Sequence, residues 1–336
     1  MNGIDLLPRW VQWQPRPFPD ANLLLLPGPS PALIDTGFVG HAEQTRAWAE
    51  EHAGSRIALV VNTHWHADHV GGNAALQATG AAIAASAPDA DAVRRRDPGC
   101  CVAEYLDQPI APYTVDHALD DNQRLQLGEA EWQVVRTPGH TPGHLSLWQP
   151  DERVLVVGDA LSDYDVGWVA TALDGPEATA TAVASLERLD ALRPRVILPA
   201  HGPLPADPAA ALASAHRRAQ RLVDDPDGAV WYGVRRIFAY ALMIREGLPV
   251  DTVEDYLLAR AWLADAARLL RRPAPELAHE LVDTMRRSGA VIEHDRRLRA
   301  AAPHTPVEPA TLDQPWPRTW PTPHDTAAPA RGGPPR

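Results

Sequence analysis

An α/β domain followed by a smaller helical one is the architecture this sequence predicts, and three observations predict it. Short apolar runs rich in Val, Leu and Ile alternate with helical stretches up to about residue 207. From residue 208 onward the strand signals give way to helical periodicity. The last segment, 302–336, holds 10 of the 34 prolines and no apolar period. The chain therefore divides into an α/β domain over 1–210, a helical domain over 211–301, and a Pro-rich disordered tail over 302–336.

Within the first domain, Asn22–Leu26 and Ala32–Ile34 flank Pro27-Gly28-Pro29-Ser30 and read as a hairpin. A helix over 43–52 leads to a buried strand at Ile57–Val61, a second helix around Ala74–Gln77 and a strand at 81–85. Trp132–Arg136, Leu145–Trp148 and Val154–Val157 are further strands. A helix over about 176–191 then precedes Val196–Leu198. Strands alternating with helices imply a sheet covered on both faces. In the second domain, helices are expected over 208–223, 229–246, 250–259, 262–270 and 274–288. Ala290–Glu293 and Arg297–Arg299 close it as a hairpin.

Composition narrows the function. Hydrophobic residues make up 45% and charged ones 22%, which is ordinary for a globular protein. A net charge of −12 argues against a nucleic acid or an anionic membrane as the partner. Residues 215–300 are the exception, with 15 Arg against 13 acidic residues. All 31 basic residues are Arg, which excludes a Schiff-base, P-loop or general-base lysine. Cys100 and Cys101 are the only cysteines and are adjacent, so no disulfide framework is expected and neither is assigned a catalytic role. The start, MNGIDLLPRW, lacks a basic n-region followed by a long apolar run, and a cytoplasmic protein with no membrane segment is expected.

The strongest chemical signal is His64-Trp65-His66-Ala67-Asp68-His69, directly after the strand ending at Val61-Asn62. Imidazole and carboxylate are ligands for divalent metals, and alternation along an extended chain points His64 and His66 the same way. Asp68 and His69 can turn toward a second ion. Val70-Gly71-Gly72-Asn73 opens a helix whose glycines allow close backbone approach. Three more segments place a ligand type just past a strand: His140 in Thr137-Pro138-Gly139-His140, Asp159 in Val157-Gly158-Asp159, and His201 in Pro199-Ala200-His201. Taken singly, His201 reads as an ordinary satisfied histidine and Asp159 as a turn former. Three His and one Asp within six residues have little structural use, and that hexapeptide carries the metal reading.

On these segments the chain resembles the metallo-β-lactamase fold superfamily across roughly residues 20–210, with Asp35-Thr36-Gly37 as its first motif. The resemblance implies an αββα sandwich. It implies one metal site of His64, His66 and His140, a second of Asp68, His69 and His201, and Asp159 as the bridge. Two divalent ions are implied, zinc in the first instance with iron or manganese as alternatives. Asp35 would orient ligands from behind, and His144 would be a structural histidine of the loop. The segment 210–300 resembles the winged-helix domain that follows the catalytic domain in some members.

Two ions about 3.5–4 Å apart lower the pKa of a bridging water, and the resulting hydroxide attacks a carbonyl while one ion steadies the oxyanion. Asp68 is a candidate proton shuttle as well as a ligand. Tyr164, shortly after Asp159, is a candidate oxyanion donor. The expected substrate is a small ester, thioester or lactone, since Pro138-Gly139-His140-Thr141-Pro142-Gly143-His144 and Pro199-Ala200-His201-Gly202 are similar to segments of glyoxalase-II-like and lactonase-like members. After Asp159 the chain reads ALSDYDVGW, which departs from the glycine- and cysteine-rich segment of glyoxalase II. Lysine contacts to glutathione are likewise absent. Two alternatives stay open: a ribonuclease using Arg217, Arg218, Arg221, Arg235 and Arg236 on phosphates, and a single-iron persulfide dioxygenase. Trp231, Tyr232, Phe238, Tyr240 and Met243 are expected in the core of the second domain, which is expected either to cap the site or to form a homodimer contact.

Overall fold

The computed structural model describes residues 7–97 and 99–312. A six-stranded sheet contains β1 (Gln12–Gln14), β2 (Leu23–Leu26), β3 (Ala32–Ile34), β4 (Leu59–Val61), β5 (Ala82–Ser86) and β6 (His117–Leu119) in that spatial order. β1 to β3 run antiparallel and β3 to β6 parallel. The second sheet has the order β11-β10-β9-β8-β7, from β7 (Arg124–Leu127), β8 (Ala130–Arg136), β9 (Leu145–Gln149), β10 (Val154–Gly158) and β11 (Val196–Pro199). Its β10–β11 pair is parallel and the other pairs are antiparallel.

The helices of this part are α1 (Ala42–Ala53), α2 (Ala67–Val70), α3 (Asn73–Ala78), α4 (Ala87–Arg95), α5 (Ala103–Leu106), α6 (Thr171–Asp174) and α7 (Ala178–Ala191). They are followed by α8 (Pro208–Asp224), α9 (Pro226–Ile244), α10 (Val253–Leu258), α11 (Ala261–Leu269) and α12 (Ala274–Arg287). A small three-stranded sheet, β12 (Leu248–Pro249), β14 (Arg297–Ala300) and β13 (Val291–His294) in spatial order, closes the C-terminal region.

Residue alternation explains the layering. Along β2, Leu23 and Leu25 face α1 and α3, packing on Ala49 and Leu76, while Leu24 and Leu26 face the second sheet. On the second sheet, Val134, Leu147, Val154 and Val156 meet them across the interior. Val135, Leu155, Val157 and Ile197 point the other way, onto Leu186, Leu189 and Leu212 of α7 and α8. The result is helix, sheet, sheet, helix, and strands such as β2, β9, β10 and β11 are buried on both faces and mostly apolar. Each fully buried Leu or Ile contributes roughly 1.5–3 kcal/mol through removal of apolar surface from water.

Local chemistry sets the helix starts. Asp207 and Asp225 each accept a backbone N–H three residues on, from Ala210 and Gly228, with proline in the first turn. Aspartate capping is why α9 begins at Pro226 rather than at 229. Ser86 caps α4 in the same way, from Asp89 N–H, and that helix is one the sequence pattern does not signal. Gly71 and Gly72 do allow the close approach expected of them. A Cβ on Gly71 would lie 2.2 Å from Val39 N, and one on Gly72 2.7 Å from Thr36 O.

Two expectations need correction. Residues 302–312 are not a disordered segment: Val307 is buried, the Pro306 carbonyl lies 2.9 Å from His41 Nε2, and Thr305 N–H donates to Phe18 O. The rest of that tail, 313–336, lies outside the described residues. Among the residues expected in the second core, Phe238 is buried there with Trp262, Leu277 and Leu281. Met243 is buried in the same core, whereas Tyr240 packs into the core of the first domain with Phe38 and Ile244; both also line the large cavity described below. No helix among the described residues is long and apolar enough to cross a membrane.

Candidate metal centre

The ligand-type residues converge because they follow the ends of strands at one edge of the sandwich. His64 and His66 follow β4, His140 follows β8, Asp159 follows β10 and His201 follows β11, while Asp68 and His69 lie on α2. His64 Nε2 lies 3.1 Å and His140 Nε2 lies 2.9 Å from His66 Nδ1. Three imidazole nitrogens thus meet at one point. On the other side, His201 Nε2 lies 3.1 Å and His69 Nε2 lies 3.7 Å from Asp68 Oδ2.

Asp159 sits between the two groups. Its Oδ2 faces His140 Nε2 at 3.4 Å, and its Oδ1 faces both His69 Nε2 and His201 Nε2 at 3.4 Å. His69 Nε2 and Asp159 Oδ1 are buried without a hydrogen-bonding partner, facing each other without the alignment of a hydrogen bond. Buried polar atoms left unmatched at the centre of five imidazoles and two carboxylates fit divalent cations in both donor type and placement. The grouping His64–His66–His140, the grouping Asp68–His69–His201 and the position of Asp159 therefore suit two ions.

Other residues aim these rings. Asp35 Oδ2 accepts from His69 Nδ1 at 2.9 Å, and its two oxygens accept from Thr63 N–H and Thr63 Oγ1–H, both at 2.8 Å. His140 Nδ1 donates to the Trp168 carbonyl at 2.7 Å, which leaves Nε2 free to ligate. His144 is fully buried, with Nδ1 2.8 Å from Thr137 Oγ1 and Nε2 accepting the Asp159 backbone N–H at 3.1 Å. It holds the Asp159 turn and does not join the ligand groupings.

Electrostatics follow from burial and the carboxylates. Burial pushes His64, His66 and His140 below the ordinary histidine range, and neighbouring imidazoles add to this at His64. His144 is pushed down to about 3, chiefly by burial. Burial disfavours the charged forms of His69 and His201 too. At His69, Asp35, Asp68 and Asp159 outweigh it and raise the pKa; at His201, Asp159 and Asp68 do so. Burial would raise the Asp159 carboxyl, but His201, His69 and His140 hold it well below the usual range.

The centre opens into a cavity of about 520 Å³, within the usual size of small-molecule sites. His66, Asp68, Asp159 and His201 form its floor, and Ile237, Tyr240 and Met243 of α9 form part of the opposite wall. α9, with Gly289, Ala290, Ala301 and Ala302 flanking the terminal hairpin, therefore covers the site. Tyr164 lines the cavity and is 49% exposed. Of the arginines considered for phosphate contact, Arg236 alone is in the cavity lining. Cys100 and Cys101 lie elsewhere, buried with Sγ atoms 3.6 Å apart and Cys101 Sγ 3.8 Å from Tyr113 Oη.

Several site residues carried no signal in the sequence. Trp168 stacks on His66 with ring centroids 5.7 Å apart, and Phe18 stacks on His201 at 4.6 Å. Asn22 Nδ2 donates to the Pro199 and Gly202 carbonyls that flank the His201 turn, at 3.1 and 3.0 Å. Gly167 is needed because a Cβ there would lie 2.3 Å from Asp159 O and 2.8 Å from His140 Nδ1. The one pointer was the glycine of ALSDYDVGW, whose role depends on a contact invisible along the chain.

Comparison with known proteins agrees with this arrangement. The family model for the metallo-beta-lactamase superfamily matches residues 23–201, more than half of the chain. A hydroxyacylglutathione hydrolase of Methylococcus capsulatus is 35% identical over 134 residues, 39% of this chain and 42% of that protein. A beta-lactamase-like protein 2 homolog of Caenorhabditis elegans is 29% identical over 205 residues, 60% of this chain and 62% of that protein. The chain thus spans less than two thirds of the length of either relative. A metallo-beta-lactamase family protein from Thermus thermophilus superposes with a TM-score of 0.54 at 22% identity, covering 88% of this chain and 99% of that one. At that identity the likeness speaks to fold.

Proposed function

The chain belongs to the metallo-beta-lactamase superfamily, and from that premise we propose that it is a two-metal hydrolase of small esters, thioesters or lactones. The observation that carries this reading is Asp159, whose two oxygens face different imidazole groups. His64, His66 and His140 would hold one ion, Asp68, His69 and His201 the other, and Asp159 would serve both. When bound, such a pair supplies a water acidic enough to ionise near neutral pH and a Lewis acid for a carbonyl oxygen.

The rest of the chemistry falls to the chain. Asp68 lines the cavity and accepts the proton of the attacking water, then returns it to the leaving oxygen or sulfur. Tyr164 donates a hydrogen bond to the developing oxyanion from the cavity wall. Trp168 and Phe18, stacked on His66 and His201, keep bulk water from the flanks of the centre. The helices and terminal hairpin of 211–301 act as a winged-helix module turned to covering the active site rather than to binding nucleic acid.

Two further facts favour acyl substrates. A cavity of about 520 Å³ under α9 suits a small molecule and not a folded RNA. Among the relatives, hydroxyacylglutathione hydrolases act by name on an acyl thioester. The test is kcat/KM of the metal-loaded protein on matched thioesters, lactones and a single-stranded RNA. Turnover of thioesters or lactones, lost in His66→Ala, is expected; cleavage of RNA alone would overturn the reading.

A further inference from the structure

We propose that residues 304–307, where the chain returns to the first domain after the terminal hairpin, hold the second ion site in place through segment 16–22, with His41 as the catch between them. The proposal rests on the two-ion reading above. His41 and 304–307 lie outside the cavity lining and act through other residues, so they are positioning residues. Segment 16–22 meets the Asp68–His69–His201 grouping at three points. Phe18 stacks on His201, with ring centroids 4.6 Å apart and planes 16° from parallel. Ala21 N–H donates to the Asp68 carbonyl at 3.2 Å, and Asn22 N–H donates to the Ala200 carbonyl, next to His201, at 2.7 Å.

That segment is held in turn from its outer side. Thr305 N–H donates to the Phe18 carbonyl at 2.6 Å, in a parallel bridge that pairs Phe18 with His304. Val307 is buried against Gly40, where a Cβ would lie 3.0 Å from Val307 Cγ1. His304 Nε2 lies 3.3 Å from Glu246 Oε1, and Tyr240 Oη of α9 donates to the Pro19 carbonyl at 2.8 Å. Contacts that only added stability to the fold would bear on both ion groupings alike. These converge on residues 68, 200 and 201, all on the side of the second ion.

His41 joins the two stretches. Asp20 is fully buried, and its carboxylate accepts from Phe38 N–H at 2.8 Å and pairs with Arg16 at 3.0 Å. His41 Nδ1 lies 2.7 Å from the same carboxylate, and Nε2 lies 2.9 Å from the Pro306 carbonyl. A carboxylate and a carbonyl only accept, so an imidazolium alone makes both bonds at once. Neutral His41 has a single N–H and leaves one acceptor facing a lone pair. Burial opposes the cation, but Asp20, by hydrogen bond and by charge, and the Pro306 carbonyl outweigh both burial and Arg16 and raise the His41 pKa. Arg16 and Asp20 are the charged side chains acting on the ring, and Arg16 is also turned to Thr45 Oγ1 at 2.6 Å. A raised folded pKa for a histidine means that the catch is fully present below about pH 6.5 and is lost as pH rises through the folded value.

The experiment uses the full-length protein and two readouts, neither of them catalysis. The first is hydrogen exchange at the Thr305 amide of the metal-free protein, corrected for the intrinsic exchange rate. Its protection should fall by about tenfold or more between about pH 6 and pH 10, the worth of one charge-assisted hydrogen bond. In His41→Gln it should be low and flat over that range. The second readout is zinc titration against a chelator at about pH 7. His41→Gln and Val307→Asp, which puts a charge into the buried seat of the segment, should each weaken one of two ions by about 10–100-fold and spare the other. The spared ion should be the one lost when His140→Ala is added. Phe18→Leu, which keeps apolar bulk and removes the stack on His201, should weaken the same ion and covers the case of a Val307→Asp that does not fold. Equal weakening of both ions, or unchanged affinities with Thr305 protection lost, overturns the proposal. A pH step of wild-type size in His41→Gln overturns the assignment of the catch to His41. If the wild type binds a single zinc ion while Thr305 protection follows pH as stated, the catch stands and the two-ion reading fails.

Discussion

Replacing Asp35 by asparagine tests whether the carboxylate behind the centre sets the protonation of His69. Asp35 follows β3 with φ of 56°, in the left-handed region, and Asn tolerates that backbone where most side chains do not. In the wild type the carboxylate accepts from Thr63 N–H and Thr63 Oγ1–H at 2.8 Å and from His69 Nδ1–H at 2.9 Å. A proton on Nδ1 leaves the lone pair on Nε2, the atom that faces Asp68 and Asp159. The amide has a single oxygen. If that oxygen keeps Thr63 N–H, the NH2 group points at His69 Nδ1 and donates to it. His69 then carries its proton on Nε2, where a metal requires a lone pair.

Loss of such an orienting partner typically costs about 10–100-fold in metal affinity, which is about 1.4–2.7 kcal/mol. The fold loses roughly 1–3 kcal/mol, because three hydrogen bonds to a carboxylate become bonds to a neutral amide, and the two at Oδ2 must reverse or break. Zinc titration against a chromophoric chelator, with a thermal melt as control, resolves the two effects. A folded Asp35→Asn variant that binds two ions with wild-type affinity would refute the reasoning.

Three other outcomes are expected. Gly167→Ala puts a methyl 2.3 Å from Asp159 O and 2.8 Å from His140 Nδ1, and metal affinity should fall by at least about tenfold by the same titration. Tyr164→Phe removes the proposed oxyanion donor, and kcat should fall by about 10²-fold with little change in KM; an unchanged kcat removes Tyr164 from the mechanism. Asp89, fully buried beside Ser86, has its carboxyl raised from 3.8 to about 7, chiefly by burial. A raised folded pKa for an acid means its contribution is fully present below about pH 4, declines between about pH 4 and 7, and stays lost above. Asp89→Asn should therefore flatten the pH dependence of the melting temperature over that window and raise it at pH 8, by up to roughly 4 kcal/mol in stability; an unchanged pH profile would contradict this.

Legibility in the sequence followed the range of the interactions. The strands of the sandwich interior were readable because both faces of β2, β4 and β10 are buried and the runs Leu23–Leu26, Leu59–Val61 and Val154–Gly158 are almost wholly apolar. β6 and β7 were not, because they carry exposed polar residues such as His117, Arg124 and Gln126 and lie at sheet edges. The ligand-type residues were readable because chemistry concentrates them within six positions and at strand ends. The parts that complete the site come from distant segments. Phe18, Trp168 and Arg236 reach it only through tertiary packing, and nothing in their local sequence distinguishes them from ordinary aromatic or solvated side chains. The same holds for 302–312, whose prolines suggested disorder although Val307 and the Pro306 carbonyl are engaged by the core and by His41.

Metal stoichiometry of the purified full-length protein, measured by elemental analysis alongside thioester hydrolysis, tests the central claim most directly. About two divalent ions per chain, with hydrolysis and at least one ion lost in His66→Ala, is the predicted result. A single iron per chain with oxygen consumption and no hydrolysis, or no metal retained under conditions that do not strip it, would contradict it.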